Sequence, residues 1–273
     1  IVCGFFSTYF KSKILDNEVE LKCINSLNLL HHRGPDDSNY VNYKNNFLGF
    51  KRLSIIDPKN AKQPMFNNDK SIAIIFNGEI FNYKALRKHL LEKKIKLKTN
   101  SDTEVILNLY SIYKNDVYKY LRGMFSFVIY DFISNQVYGA RDRYGIKPLF
   151  YHNSDNGDFI FSSEARSIRK YFDNRISFNK NKLSEFVVFG YSADHESFYE
   201  KINSIRPGHS FIVKNNSIKI IKEWEPFNNH DEEIKISEDQ ALLRLEKIFE
   251  ETIDYWVTSD VPVASLMSGG IDS

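Results

Sequence analysis

A cysteine stands third in the chain, at the head of the short apolar run 1–6 (IVCGFF). At a processed N-terminus such a cysteine needs no separate histidine, because its own α-amine, with an unperturbed pKa of about 7.7–8.0, can accept the thiol proton. The resulting thiolate is a strong nucleophile toward an acyl carbon. This interpretation requires removal of Ile1 and Val2, because in the sequence as written the α-amine belongs to Ile1. The alternative is that Cys3 is a small buried residue of a first strand.

Length and charge narrow the classes of protein that fit. At 273 residues the chain can bury a sizeable core, and one domain plus a second element is expected. Its 37 basic and 35 acidic residues give no broad field for nucleic acid or membrane, and no apolar run reaches the roughly 20 residues of a membrane span. Two cysteines are too few for a disulfide scaffold, and no signal segment stands at the start. We therefore expect a cytoplasmic protein without nucleic-acid or membrane partners.

Apolar periodicity predicts helices and strands along most of the chain. The predicted helices cover residues 17–31 and begin at Lys84 and at Ser101, where a Ser-x-x-Glu spacing is typical of a capping box. The predicted strands are 1–6, 47–58, 71–76, 124–131, 136–143 and 158–164. Short strands joined by tight polar turns predict a mostly antiparallel sheet.

Three polar positions each allow two interpretations. Arg52 is either an outward-facing surface arginine or a fork that grips a carboxylate through two parallel hydrogen bonds. Asn77-Gly78 is by default a tight hairpin turn, but if it faces a cleft, the Asn77 amide and the Gly78 N–H are two donors for an oxyanion. Asp102 either complements a helix dipole or holds a substrate amino group. The residues alone leave these choices open.

Two charged turns are predicted to be structural. The first, residues 31–37 (HHRGPDD), breaks the first helix; a polar loop is favoured over a metal site, since no second cluster supplies ligands. Within it Arg33 can pair with a local carboxylate. In the second turn an ion-pair network is expected among Arg141, Asp142, Arg143 and Lys147.

The composition changes near residue 225. The polar stretch 225–233 is the predicted linker, and Ser237 caps a long amphipathic helix. Residues 261–267 are predicted to form a buried strand that leads into the loop 268–273 (SGGIDS). Glycines after a parallel strand let backbone N–H groups approach a phosphate, although the Gly-Lys-Ser/Thr of the common nucleotide loop is missing. The helix that would complete this anion site does not follow, so we expect the chain to be the front part of a longer protein.

A series of short motifs, in family order, resembles the glutamine-hydrolysing asparagine synthetases. The motifs are Cys3-Gly4, 33–37 (RGPDD), 52–57 (RLSIID), 63–65 (QPM), 76–80 (FNGEI), 101–104 (SDTE), 121–125 (LRGMF), 140–149 (ARDRYGIKPL), 163–164 (SE) and 268–273 (SGGIDS). They run over the whole chain, and together they are far more specific than any one of them.

The resemblance implies an α+β fold and two parts. Residues 3–200 would be a type 2 glutamine amidotransferase (glutaminase) domain with the four-layer αββα sandwich of N-terminal-nucleophile hydrolases. Residues 201–235 would supply closing strands and a linker. Residues 236–273 would be the truncated start, one helix and one strand, of the α/β ATP-pyrophosphatase domain of asparagine synthetase.

The resemblance also implies roles for individual residues. Cys3 would attack the glutamine amide, Asn77 and Gly78 would form the oxyanion hole, and Arg52 and Asp102 would hold the α-carboxylate and the α-amine. The implied glutamine-binding residues are Arg52, Leu53, Ser54, Ile55, Ile56, Asn77, Gly78, Glu79 and Asp102. The implied ATP-binding residues, with Mg²⁺ at the pyrophosphate, are Met267, Ser268, Gly269, Gly270, Asp272 and Ser273.

The implied activity is ATP-dependent amidation of aspartate to asparagine, with release of AMP and pyrophosphate. Glutamine would supply ammonia, which would travel inside the protein to an acyl-adenylate. Protein ligands for a metal are not expected, and a homodimer is compatible with the resemblance. One alternative is a relative that amidates another carboxylate, such as a sugar acid of a surface polysaccharide. Another is a hydrolysis-dead domain with a structural role.

Overall fold

Alternation along the first strand determines where the core forms. In β1 (Gly4–Tyr9), Phe5 belongs to an apolar cluster between two β-sheets, whereas Phe6 belongs to a cluster between one sheet and the helices outside it. Both rings are fully buried. The computed structural model describes residues 3–11, 13–192, 196–226 and 236–270. Within them β1 lies inside a layered structure with apolar contacts on both faces.

Two stacked sheets form the centre, and all strand pairings within them are antiparallel in the described residues. The first sheet has the spatial order β10 (Ile202–Ser204), β8 (Phe150–Asn153), β9 (Phe159–Ser162), β1, β3 (Asn46–Arg52) and β2 (Asp37–Tyr43). The second has the order β12 (Ser217–Lys222), β11 (His209–Lys214), β7 (Gln136–Arg141), β6 (Gly123–Asp131), β5 (Ile72–Ile80) and β4 (Met65–Phe66). Between them pack Phe5, Phe50, Val128, Tyr130, Phe161 and Phe211.

Helices cover the outer faces of both sheets. On the first sheet lie α1 (Asn17–Asn28) and α4 (Ala165–Tyr171), and on the second lie α2 (Tyr83–Glu92) and α3 (Asp102–Tyr113). The remaining helix of this part is α5 (Lys180–Phe189), and short 3₁₀ turns cover His31–Arg33 and Lys114–Tyr120. The order helix, sheet, sheet, helix confirms the predicted four-layer αββα architecture.

Three strand predictions need correction. The first strand spans Gly4–Tyr9 rather than ending at residue 6, and β3 ends at Arg52, so residues 53–58 are loop rather than strand. The Asn77-Gly78 pair is not a hairpin turn, because β5 runs through it and pairs with β6 as far as Ile80. Glycine is needed there, since the backbone has a φ of 155° and an added Cβ would overlap the Met124 carbonyl oxygen. Strands β2, β4 and β8 fall where no strand was predicted.

In the charged turn around residue 141, Arg141 and Asp142 bond to the main chain, which the predicted ion-pair network did not include. The Arg141 guanidinium donates to the carbonyl oxygens of Gly145, Lys147 and Ile205. The Asp142 carboxylate accepts from backbone N–H groups, including that of Lys147 at 2.9 Å. These charges therefore satisfy main-chain groups of a tight loop, where carbonyl and amide groups lack strand partners.

The last described segment, residues 236–270, holds one helix, α6 (Glu238–Trp256). Its capping box is present, because the Ser237 hydroxyl accepts from the Gln240 N–H and the Gln240 side chain accepts from the Ser237 N–H. The predicted buried strand at 261–267 is wrong: these residues have no regular structure, and Leu266 is 98 % exposed. A parallel strand needs neighbouring strands on its edges, and none of the described strands lies beside it.

Candidate active site

The ends of two strands, a loop and the start of a helix meet at one pocket. Antiparallel pairing of Gly4 with Lys51 carries Cys3 toward Arg52 and the loop after it. The last residues of β5 and the first residue of α3 complete the wall. The pocket is lined by Cys3, Arg52, Leu53, Ile55, Ile56, Ala61, Gln63, Phe76, Asn77, Gly78, Glu79, Asp102, Thr103 and Lys147.

Cys3 is held at this pocket from three sides. Its Sγ accepts from the Leu53 N–H at 3.3 Å, and its own N–H donates to Asn77 Oδ1 at 3.1 Å. Arg33 Nε donates to the Cys3 carbonyl oxygen at 2.9 Å. Burial raises the pKa of the Cys3 thiol, so the resting thiol is protonated at neutral pH and needs a base before it can act as a nucleophile.

Asn77 offers a donor to the same pocket. The residue is 1 % exposed, and its Oδ1 is taken by the Cys3 N–H. Its Nδ2 is buried and has no hydrogen-bond partner among the described residues. A buried amide nitrogen without a partner is costly, and beside a nucleophile it is the kind of donor that stabilises a developing oxyanion.

Arg52 is not a surface arginine, since it is 5 % exposed. Its guanidinium lines the pocket and donates to the carbonyl oxygens of Ile56 at 2.9 Å, Asp57 at 3.0 Å and Pro58 at 2.8 Å. The cation therefore fixes the loop that follows β3 and also presents positive charge to the pocket.

Two carboxyl groups, those of Glu79 and Asp102, also line the pocket. Asp102 accepts from the Ile80 N–H at 3.1 Å and the Thr103 N–H at 2.8 Å, and burial raises its pKa to about 6. Burial, then the nearby Asp102, raise the pKa of Glu79 to about 7. Glu79 Oε1 is buried without a partner among the described residues. A bound cation would relieve the cost of ionising both groups.

Sequence reasoning missed supporting residues of the pocket. Gln63 clamps the backbone before Asn77, because its Nε2 donates to the Phe76 carbonyl oxygen at 3.0 Å and its Oε1 accepts from the Phe76 N–H at 2.7 Å. Lys147 is 5 % exposed, and burial lowers its pKa. The signal for Gln63 and Lys147 is their presence in the motifs at 63–65 and 140–149.

Arg33 finds its carboxylate far away in sequence. Glu164 lies 3.2 Å from Arg33 Nη1 and also contacts His32 Nε2 at 2.8 Å and Arg166 Nε at 2.6 Å. The expectation of a local carboxylate for Arg33 is therefore wrong, because its partner lies 131 residues downstream. Residues 31–37 form a polar segment that begins with a 3₁₀ turn and ends at the start of β2. No group of His, Cys, Asp and Glu suited to a metal ion occurs among the described residues.

Some residues implied by the resemblance lie elsewhere. Ser54 does not line the pocket, and its N–H donates to Asp36 Oδ2 at 2.8 Å. Met267, Ser268, Gly269 and Gly270 are exposed and apart from it. Asp272 and Ser273 lie outside the described residues, as do Ile1 and Val2.

Comparison with solved structures defines the class of fold. The chain matches glutamine phosphoribosylpyrophosphate amidotransferase from B. subtilis with a TM-score of 0.58 and 17 % identity, covering 83 % of this chain and 50 % of that chain. It matches the allosteric regulatory enzyme of purine biosynthesis with a TM-score of 0.55 and 18 % identity, with the same coverage. The chain therefore shares the fold of these proteins, which here is two stacked antiparallel sheets between layers of helices.

Sequence comparison identifies the family within that fold. The family model of the glutamine amidotransferase domain matches residues 2–225. The chain belongs to this glutamine amidotransferase domain family.

Its curated relatives are longer proteins. It is 34 % identical over 273 residues to asparagine synthetase [glutamine-hydrolyzing] 1 of Bacillus subtilis, covering all of this chain and 43 % of that protein. It is 33 % identical to asparagine synthetase [glutamine-hydrolyzing] 2 of Arabidopsis thaliana, covering 89 % of this chain and 36 % of that protein. The chain thus spans less than half the length of these relatives. No helix in the described ranges has the length and apolar character needed to cross a lipid bilayer.

Proposed function

We propose that this chain is the glutamine-hydrolysing part of an asparagine synthetase. The observation that carries the proposal is the position of Cys3. Its thiol lies at the start of β1 in a pocket that also contains the partnerless Nδ2 of Asn77, a buried arginine and two carboxyl groups. The nucleophile and the oxyanion donor suit the side-chain amide of glutamine, the cation suits its α-carboxylate, and the carboxyl groups suit its α-ammonium.

The proposed reaction begins with thiol deprotonation. Once Ile1 and Val2 are removed, the Cys3 α-amine takes the thiol proton, and Sγ forms a bond to the glutamine side-chain carbonyl carbon. Asn77 Nδ2, together with Gly78, stabilises the oxyanion. The C–N bond then breaks, and the proton on the amine goes to the leaving nitrogen, which departs as ammonia. Water attacks the thioester, giving glutamate and returning the proton to Sγ.

Charge complementarity orients the substrate. Arg52 is proposed to hold the glutamine α-carboxylate, and Asp102 its α-ammonium, with Glu79 adding negative charge beside it. Leu53, Ile55 and Ile56 also line the pocket. Ser54 is left out of this set, because it lies off the pocket.

The steps beyond ammonia release rest on similarity to longer relatives. We propose that the whole protein amidates aspartate with ATP and Mg²⁺ in the cytoplasm, with residues 3–200 as glutaminase, 201–235 as closing strands and linker, and 236–273 as the start of the synthetase part. The proposal for ATP is supported by the sequence of the loop 268–273, whose glycines and serines are residue types that bring N–H and hydroxyl donors to a phosphate. Met267, Ser268, Gly269 and Gly270 would contact ATP.

The first experiment pairs intact-mass and N-terminal sequencing of the protein from its own cells with a glutaminase assay on the same sample. We expect a chain that begins at Cys3 and releases glutamate from glutamine. Cys3→Ala should abolish glutamate release. Cys23→Ala should retain it, because Cys23 is a buried residue of α1 that does not line the pocket.

Two results would contradict the proposal: glutamate release that survives Cys3→Ala, or a processed chain beginning at Cys3 that releases none. A chain that retains Ile1 and Val2 and is inactive would favour the structural role instead. Replacing aspartate by other carboxylates in an AMP-release assay on the full-length protein then identifies the acceptor.

A further inference from the structure

A distant part of the chain touches the wall of the glutamine pocket. Asp260, which follows α6, accepts from the Asp57 N–H through Oδ2 at 2.8 Å, and its own N–H donates to the Ile55 carbonyl oxygen at 3.3 Å. The two partners of the first bond are 203 residues apart. Near the same place the rings of Trp256 and Phe81 lie 5.1 Å apart. The segment after α6 therefore contacts the loop that follows β3.

That loop, residues 53–58, connects the two ends of the pocket. On one side, Arg52 binds the carbonyl oxygens of Ile56, Asp57 and Pro58. On the other, the Asp57 carboxylate accepts from the Asn100 N–H at 2.8 Å, two residues before Asp102. The loop thus couples the proposed carboxylate-binding cation to the helix start that carries the proposed ammonium-binding anion.

The loop has a backbone conformation that needs outside support. Asp57 has a φ of 44°, a left-handed conformation that is unfavourable for a residue with a side chain. Its N–H, freed from regular pairing, finds its partner in Asp260. Asp260 offers both an acceptor and a donor, so it fixes Ile55 and Asp57 on either side of Ile56, which lines the pocket.

The downstream segment makes this contact from an exposed position, and Asp260 is itself exposed. No residue of α6 is buried, and the residues after Asp260 are largely exposed. Two hydrogen bonds from such a segment to a pocket wall point to a role in the pocket.

We propose that Asp260 is a positioning residue for glutamine: it holds the 53–58 loop in the geometry that binds substrate. The inference rests on the proposed function, because it concerns the same pocket. It adds that glutamine affinity depends on a segment outside the two sheets.

The substitution Asp260→Ala removes the acceptor and leaves the Asp57 N–H without its partner. We expect the KM for glutamine to rise about tenfold, the usual effect of losing one hydrogen bond to a charged group. The kcat should change less than about twofold, because Asp260 contacts neither Cys3 nor Asn77. Asp260→Asn keeps an acceptor oxygen and should remain within about threefold of the wild-type KM.

The assay measures glutamate release by the full-length protein, with Asp254→Ala as the matched control. Asp254 lies on exposed α6, and among the described residues its side chain has no hydrogen bond or ion pair with the loop, so the control removes the same charge without the hydrogen bond of Asp260. Melting temperatures of all variants establish that they fold. A wild-type KM in Asp260→Ala, or an Asp260→Asn variant as weak as Asp260→Ala, would overturn the role of this hydrogen bond.

Hydrogen exchange separates this inference from the proposed function. The Asp57 amide should exchange faster in Asp260→Ala than in the wild type or Asp254→Ala, whether or not glutamine is turned over. Unchanged exchange would overturn the inference even if glutaminase activity is present. Wild-type protein that begins at Cys3 and releases no glutamate refutes the proposed function, and with it the glutamine role of Asp260, even where the exchange difference is found.

Discussion

The helices α3 and α6 begin in the same way and lie in different surroundings. Each has a serine N-cap whose hydroxyl accepts an N–H three residues on, from Glu104 in α3 and from Gln240 in α6. Yet α3 buries most of its length against the second sheet, whereas no residue of α6 is buried. Capping and periodicity determine that a helix forms, and a separate apolar surface must exist for it to be covered.

This difference determines which helix places a buried carboxyl group at the candidate site. Because α3 is packed, Asp102 at its start is 4 % exposed, and its pKa is raised to about 6. The acidic residues at the start of α6 remain in water. The sheets support the candidate site at the start of α3, whereas α6 contacts Phe81 through Trp256 and is followed by Asp260, which bonds to the loop after β3.

The largest expected difference in stability is between alanine substitutions at two glycines, one in β5 and one in the segment after α6. Gly78→Ala places a Cβ against the Met124 carbonyl oxygen at a φ of 155°, so we expect a loss of at least about 4 kcal/mol in the free energy of unfolding and loss of glutamate release. Gly269 also has positive φ, but nothing lies within 4 Å of its missing side chain. Gly269→Ala should therefore cost only local strain of about 1 kcal/mol.

Urea unfolding monitored by circular dichroism measures both variants. If Gly78→Ala unfolds at the wild-type midpoint, the close approach of β5 and β6 at this position is wrong. If Gly269→Ala is as unstable as Gly78→Ala, the 236–270 segment is part of the cooperative core, and the contrast between the two regions fails.

A second contrast compares a phenylalanine of the second sheet with one of α6. Phe127 is fully buried between the second sheet and its helices, whereas Phe249 on α6 is 64 % exposed. Truncation of a buried ring costs about 3–5 kcal/mol, so Phe127→Ala should lower the melting temperature sharply. Phe249→Ala should change stability by less than about 0.5 kcal/mol. A large effect of Phe249→Ala would mean that α6 is covered, for example by a second copy of the chain, which a concentration-dependent melting temperature would reveal.

Sequence pattern was sufficient for most of the antiparallel strands because its signals are local and redundant, whereas the layered arrangement was predicted only by the resemblance. Apolar runs such as 124–131 and 136–141 alternate with turns, and the paired strands β6 and β7 follow them closely. The weakly patterned β2, with exposed residues on most of its length, gave no such signal. The prediction of a strand at 261–267 was wrong because apolar residues do not show whether neighbouring strands are present to pair with them.

The site was only partly accessible to the same reasoning. Arg52, Asn77 and Asp102 each had a structural alternative, which burial removes for Arg52 and the pairing of β5 with β6 removes for Asn77. Arg33, whose partner Glu164 is 131 residues away, shows the limit: tertiary hydrogen bonds have no local pattern. The motifs of the resemblance located such residues without saying what they contact.

The smallest expected effect concerns the buried carboxyl group that has no counterpart in α6. Burial raises the pKa of Glu79 from 4.5 to about 7 in the folded protein. The native state therefore binds the proton more tightly than the unfolded state. The contribution of Glu79 to the stability of the folded protein is fully present below pH 4.5 and is lost as the pH rises through about 7. We expect Glu79→Gln, which cannot ionise, to become more stable than the wild type by about 1–3 kcal/mol at pH 8 relative to pH 4.

Thermal unfolding of both proteins between pH 4 and 8 measures this difference, with Glu92→Gln on the exposed end of α2 as the control for charge removal. Asp102, whose pKa is also raised, titrates in every variant, so only the difference between variants is informative. Glutamine should suppress the effect, because its ammonium group would hold Glu79 and Asp102 in their charged forms. A pH-independent difference between Glu79→Gln and the wild type would mean that Glu79 is solvated like an α6 carboxylate. Persistence of the pH dependence at saturating glutamine would instead separate Glu79 from the ammonium subsite.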